Sequence, residues 1–429
     1  MEDAMRNSRT GGTWGLALCC LLLVASATAH AEAESSAASG ARGPDVTVFA
    51  LSDTSNFGVS NGIRGYSIGT TSCNVGDAPL NWCDNAGGCG QGTTPADHPV
   101  IAQNIYRLNA GRFDQIGASW LKHGFLSLNQ SAPGCGSGSC QAPPLGGNQL
   151  GVGCTDPYGS GLNGSRPLGR RSEVDPATGV FPFPFGGGGA TAASWNQRVA
   201  VVEEKLNTTL NPGARYFIEG HYVTPDDAVS GNGLNNASYR EVTVNQSNFN
   251  LNLLGSTVRE KAAIQAWRDI DPAVEIINVD LPTVPVQRFH VARKVSVLVP
   301  GSLWHYEYAV HNMNSTRATD RLEISFFGPT MISGIGFSDV DAHSNEPYDT
   351  TDWPASTTSN SIQWAAAPFP SAPEDANAIR WGTMYNFWFD ANRPPEDISA
   401  HVLALFEDGT PAEISFLEGD DALLVDGFE

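Results

Sequence analysis

Apolar and polar residues alternate along most of this chain with a period of two, the spacing that sends successive side chains to opposite faces of a strand. The stretch LWHYEYAVHN (303–312) is the clearest case. Trp304, Tyr306, Tyr308 and Val310 share one face, and His305, Glu307, Ala309 and His311 share the other. The aromatic face is expected to be core and the polar face solvent or a groove. AIRWGTMYNFWFD (378–390) repeats the pattern, with Ile379, Trp381, Thr383, Tyr385, Phe387 and Phe389 opposed to Arg380, Gly382, Met384, Asn386, Trp388 and Asp390.

Similar runs fill the rest of the chain. VTVFAL, HPVIAQNIYRL, FDQIGASWLKHGFLSL, QRVAVVEEKL, ARYFIEGHYVT, SYREVTV and FNLNLL read as strands in the first half. AVEIINV, VQRFHVARKVSVLVP, RLEISFF, ISGIGF, SIQWAAA, ISAHVLALF and AEISF join the two stretches above in the second. One segment, 257–268, reads as a helix. The fold class is all-β, with two β-rich domains. An N-terminal domain (45–254) carries a long Gly/Pro-rich insertion (129–194), and a C-terminal antiparallel β-sandwich spans 255–416. No Rossmann, Walker, heptad or repeat pattern is present in the sequence.

The N-terminus changes the picture of where the protein works. Arg6 and Arg9 precede an apolar run, and small residues follow near Ala29 and Ala31. Residues 1–31 therefore read as a signal peptide, 32–44 as a disordered linker and 417–429 as an acidic tail. The expected location is extracellular, periplasmic or cell-surface, with no transmembrane segment in the mature chain. With 24 basic and 45 acidic residues the formal net charge is -21, which argues against nucleic acid as a partner.

Beyond the signal, the cysteines are Cys73, Cys83, Cys89, Cys135, Cys140 and Cys154. In an exported chain an even set implies disulfides, which makes the N-terminal domain disulfide-stapled. The glycine-containing loops CDNAGGC and CGSGSC favour the local pairs Cys83–Cys89 and Cys135–Cys140, leaving Cys73–Cys154 to close the long loop.

Chemistry-bearing positions are scattered. The outward row Asn386, Trp388 and Asp390 has the composition of a carbohydrate-binding surface, a ring to stack on a sugar flanked by groups for its hydroxyls. Asp339, Asp341 and Asp349 lie in an acidic loop that suits calcium, although it lacks EF-hand spacing. His98, His123, His221 and His305 could supply a transition-metal site if the two halves bring them together.

The motifs TSCNVG, GRFDQIGASWLKHGF, LGVGCTDPYGSGLNG, LWHYEYAVHN and NAIRWGTMYNFWFD resemble, in that order, an uncharacterised family of secreted bacterial β-rich proteins. The resemblance covers most of 45–410 and implies export and a shared architecture, with no activity attached. The terminal DDALLVDGFE resembles the DGFE tails of exported Gram-negative proteins. Two functions fit these readings. One is a secreted or cell-surface binding or structural protein directed at a polysaccharide or an envelope component. The other is a secreted metal-dependent enzyme, oxidative or hydrolytic, with a histidine site between the domains.

Overall fold

The computed structural model describes residues 43–83, 97–136, 138–186, 193–366, 376–406 and 412–417. The expected signal peptide and nearly all of the linker and acidic tail lie outside the described residues. The described residues all belong to one compact unit. Among the described residues no helix is long and apolar enough to cross a membrane.

The protein is all-β. The first half supplies β1 (Val46–Ser60), β2 (Ile63–Asn74), β3 (Leu80–Asn81), β4 (Val100–Asn109), β5 (Arg112–Ala118), β6 (Lys122–His123) and β7 (Gln130–Ser131). It continues with β8 (Gln149–Leu150), β9 (Cys154–Tyr158), β10 (Val199–Val202), β11 (Arg215–Val223), β12 (Ala237–Val244) and β13 (Leu251–Val258). The second half supplies β14 (Val274–Leu281), β15 (Gln287–Val299), β16 (Leu303–Asn312), β17 (Ala318–Phe326) and β18 (Ile332–Ser338). It ends with β19 (Ala355–Thr357), β20 (Ser361–Ala365), β21 (Met384–Ala391), β22 (Ile398–Phe406) and β23 (Ala412–Phe416). The helices are short: α1 (Ser160–Asn163), α2 (Pro225–Val229) and α3 (Gln265–Ile270).

Among the described residues, four large antiparallel sheets result. The first runs β1-β2-β9-β7 with β10 also on β2, and the second runs β13-β12-β11-β4-β5 with β6 also on β4. The third runs β14-β15-β16-β21-β18 and the fourth β19-β20-β17-β22-β23. The first two face each other across a core that includes Val48, Ile68, Ile101, Ile105, Ile218 and Tyr222. The last two enclose a second core with Tyr306, Tyr308, Phe387, Phe389, Ile324 and Trp364. A third apolar cluster, with Tyr106, Phe113, Phe217, Ala292, Ala309 and Met384, joins the second sheet to the third. The molecule is thus two sandwiches packed back to back, four sheets deep.

This stacking overturns the one-sided reading of the strand 303–312. The aromatic face of β16 is core, as its alternation requires, and Tyr306 is fully buried with its hydroxyl donating to the Arg393 carbonyl at 2.6 Å. The opposite face is not solvent. Ala309 and His311 are buried as well, because the second sheet covers them. Both faces of a middle layer must be packed: on this buried face Asn386 of β21 donates to the Phe113 carbonyl of the second sheet, whereas neither ring nitrogen of His311 has a hydrogen-bond partner among the described residues.

Two further expectations change. The helix read over 257–268 is confined to α3, because β13 extends to Val258 and Glu260 takes a left-handed φ of 59° between them. The Gly/Pro-rich stretch 129–194 is not only loop: β9 is built into the first sheet beside β2.

The disulfides join Cys73 to Cys135 and Cys140 to Cys154, not Cys73 to Cys154 and Cys135 to Cys140. The register explains the exchange. Cys73 pairs with Thr155, so Cys154, one residue along, points to the other face of the sheet. Each cysteine then takes its partner from the loop between β7 and β8. Cys83 is disulfide-bonded, but its expected partner Cys89 lies outside the described residues.

Candidate functional site

A cavity of ≈ 360 Å³ opens between the sandwiches. Its walls come from the chain around Arg171–Pro176, the loop around His343–Tyr348 and the turn Arg380–Thr383 that leads into β21. None of these segments is a regular strand, and each is fixed by hydrogen bonds that cross the seam.

Arg171 is the main tie. Its guanidinium is buried, with Nε donating to the Ser119 carbonyl (2.6 Å) and Nη1 to the Gly382 carbonyl (3.2 Å). Nη2 donates to the Gln103 carbonyl (3.1 Å) and to Asn104 Oδ1 (2.8 Å). In return the Trp381 indole N–H donates to the Arg171 carbonyl at 3.0 Å. Gly382 has no substitute here. Its φ is +70°, and a Cβ would sit 2.3 Å from Arg171 Nη1. The strand alternation expected through 378–390 therefore breaks at this turn, and β21 begins at Met384.

The loop after β18 is docked onto the first sandwich. The Ser344 hydroxyl donates to the carbonyls of Ala118 and Arg198, and the Ser344 carbonyl accepts from Gln197 N–H at 3.0 Å. Glu346 accepts the Arg171 N–H at 2.8 Å and the Ser172 hydroxyl at 3.2 Å. Burial pushes the Glu346 carboxyl up. Arg380 lies over the Tyr348 ring, 4.3 Å from its centroid, and burial raises the Tyr348 hydroxyl to about 12. His343 stands edge-on to Tyr348, and its Nε2 is buried with no hydrogen-bond partner among the described residues. Burial, with Arg380 and Arg171 nearby, lowers the His343 imidazole to about 3, so it stays neutral and can donate or accept.

The acidic loop does not gather its carboxylates for calcium. Asp341 is paired with Lys205, and Asp339 accepts from Asn377 at 2.6 Å. Asp349 caps the turn at Thr351 through its backbone N–H and hydroxyl. Each carboxylate has a separate partner: Asp341 reaches Lys205 of the first sandwich, while Asp339 and Asp349 are held within the second half of the chain.

The outward row at Asn386, Trp388 and Asp390 is also differently employed. Asn386 is buried in the seam and donates to the carbonyls of Phe113 (2.9 Å) and Tyr308 (3.4 Å). Arg112 lies 3.4 Å from the Trp388 ring centroid, and Gly336 of β18 packs against the same indole. Asp390 contacts His305. These side chains do not present a free sugar-stacking face.

Of the four candidate histidines, two meet. His98 Nδ1 contacts the Cys83 carbonyl at 3.0 Å, and His98 Nε2 contacts His123 Nδ1 at 2.8 Å. His123 stacks on Phe185 at 3.8 Å, and burial lowers its imidazole to about 3. His221 lies instead edge-on to Trp381, and His305 sits between Glu307 and Asp390. Among the described residues no three His, Cys, Asp or Glu side chains converge on a metal position.

The residues that line the cavity, above all Arg171, His343, Glu346 and Arg380, are not legible as a site in the sequence. They are single polar residues in irregular segments far apart in the chain. Arg171 sits in the Gly/Pro-rich stretch, His343 and Glu346 in the acidic loop and Arg380 in the alternating motif AIRWGTMYNFWFD, so no shared local sign marks them.

No family model matches this chain, and no curated protein matches it. Among solved structures, a GH20 exo β-N-acetylglucosaminidase from Vibrio harveyi, in complex with N-acetylglucosamine, is similar over 36% of this chain and 19% of its own. The identity is 8% and the TM-score 0.19, a likeness too slight to carry any argument.

Proposed function

We propose that this is an exported binding protein whose ligand is a small neutral saccharide unit, held in the cavity between the two sandwiches. The observation that carries the reading is the cavity itself. At ≈ 360 Å³ it lies near the lower end of the range for small-molecule sites, about 300–1,000 Å³.

The lining supports a polyhydroxylated, uncharged ligand. It carries Glu173, Asp175 and Glu346 against Arg171 and Arg380, so three acids oppose two bases and no strong field favours an anion. Neutral His343 offers a buried nitrogen without a partner among the described residues, the kind of group a sugar hydroxyl satisfies. Tyr348 and Trp381 provide apolar surface beside these polar groups. Export agrees with the disulfides and with the leader-like N-terminus. The resemblance to secreted bacterial proteins points the same way.

The test is a titration of the purified protein with neutral mono- and disaccharides, followed by tryptophan fluorescence. At least one should bind saturably, and Arg380→Ala and Glu346→Gln should each weaken it by about tenfold, the loss of one buried hydrogen bond to a charged group. Absence of binding across the panel, or variants that bind as tightly as wild type, contradicts the proposal.

A further inference from the structure

The seam between the sandwiches has a second polar cluster. It lies toward the far end of β21 from the cavity. Thr383 lines the cavity just before β21 begins, and Asp390 is next to its last residue, Ala391. At about 3.3 Å per residue the two positions are separated by roughly 23 Å.

Here His305 of β16 stands between two carboxylates. Its Nδ1 is 2.6 Å from Asp390 Oδ1, and its Nε2 is 3.1 Å from Glu307 Oε1. Glu307 in turn accepts from Arg112, whose Nε and Nη2 approach its two oxygens at 2.9 and 2.7 Å. Arg112 belongs to the β4–β5 hairpin of the first sandwich, while the other three belong to the third sheet. A line of alternating charge therefore runs across the seam. The cluster is not a metal site in waiting, since the carboxylates occupy opposite nitrogens of one ring and cannot share an ion.

We infer that Asp390, His305 and Glu307, together with Arg112, form a proton-operated latch that holds this end of the two sandwiches together. A doubly protonated imidazole donates to both carboxylates at once. A neutral one has a single N–H, so one carboxylate then faces a lone pair.

Among the described residues, the surroundings supply no other cation to replace it. On β15, Ser296 is opposite His305, and Lys294, opposite Glu307, is engaged with Asp271 at 2.7 Å. On β18, uncharged Ser333 is opposite Asp390. Arg112 is committed to Glu307 and to the Trp388 ring. The hydrogen bond to Glu307 raises the His305 imidazole above its ordinary value against the effect of burial, and Asp390 adds to the rise. Burial pushes Glu307 up, but His305 and Arg112 bring it below the usual range.

The sign follows from the raised imidazole. The latch is complete below the unfolded-state value of 6.5 and is lost as pH climbs through the higher folded-state value. Because His305 keeps part of its ring exposed, the proton can exchange with solvent without unfolding.

Amide hydrogen exchange of the full chain, corrected for intrinsic rates, tests this between about pH 5.5 and pH 8.5. Peptides covering Arg112–Phe113 and Asn386–Asp390 should lose protection by about tenfold as pH rises, while core peptides around Leu322–Ile324 should not. His305→Gln should show the low-protection state at every pH. Should that variant fail to fold, Asp390→Asn, which removes one of the two carboxylates, should move the transition to lower pH. A wild-type profile that is flat with pH overturns the latch. So does a His305→Gln or Asp390→Asn protein that keeps the wild-type profile.

Discussion

Asp156 shows how much of this protein's chemistry is decided at single buried atoms. It lies on β9 and is almost fully buried. One carboxylate oxygen accepts the Leu128 N–H at 2.8 Å, while Oδ2 has no partner among the described residues. Burial raises the group to about 7 from an ordinary value of 3.8. A raised acid stabilises the fold where it is protonated and ceases to do so as pH rises through the folded value. Wild type should therefore lose about 1–3 kcal/mol from this group between about pH 5 and pH 8. Asp156→Asn keeps the Leu128 contact and cannot ionise, so its stability should be flatter over that interval. Urea denaturation at the two pH values measures the difference, and equal losses in both proteins would mean that Asp156 is charged in the fold throughout. Nothing in the motif CTDPYGSG distinguishes this aspartate from a surface turn residue. Its burial comes from neighbours far along the chain. His311 and Asn386 escape a sequence reading for the same reason: their polarity suggests solvent, whereas a second sheet supplies their surroundings.

Elements are more legible than residues, because alternation is a local property. The aromatic faces of β16 and β21 are readable in full, and both line the core of the second sandwich. Register is not readable, and the disulfides show why it matters. Local closure favours Cys135–Cys140 by loop entropy, but pairing of β2 with β9 places Cys73 and Cys154 on opposite faces. Mapping of the unreduced protein should recover Cys73 linked to Cys135 and Cys140 linked to Cys154. Their sequence separations are 62 and 14, for which chain entropy gives about 4 and about 3 kcal/mol of stabilisation. Cys73→Ser paired with Cys135→Ser should accordingly be more destabilising than loss of the shorter loop. A peptide joining Cys73 to Cys154 would refute this register.

At the scale of the molecule, the organising feature is the seam. Two sandwiches of ordinary size share a middle interface that is apolar around Phe113, Phe217 and Ala309 and polar at the cavity and the His305 cluster. Sequence patterning predicts both β-rich halves but has no access to the contact between them. That contact is made by the facing strands of the second and third sheets and, around the cavity, by irregular segments far apart in the chain. Function at this scale depends on whether the cavity is a ligand site, and blocking it is the cleanest intervention. Thr316 lines the cavity wall and is only partly buried, so Thr316→Trp fills the space while leaving Arg171, His343, Glu346 and Arg380 in place. The decisive measurement is a calorimetric titration of wild type and Thr316→Trp with the neutral saccharide that wild type binds. Saturable heat for wild type and none for a variant with an unchanged melting temperature is the predicted result. Equal binding by both proteins would place the ligand elsewhere and contradict the account.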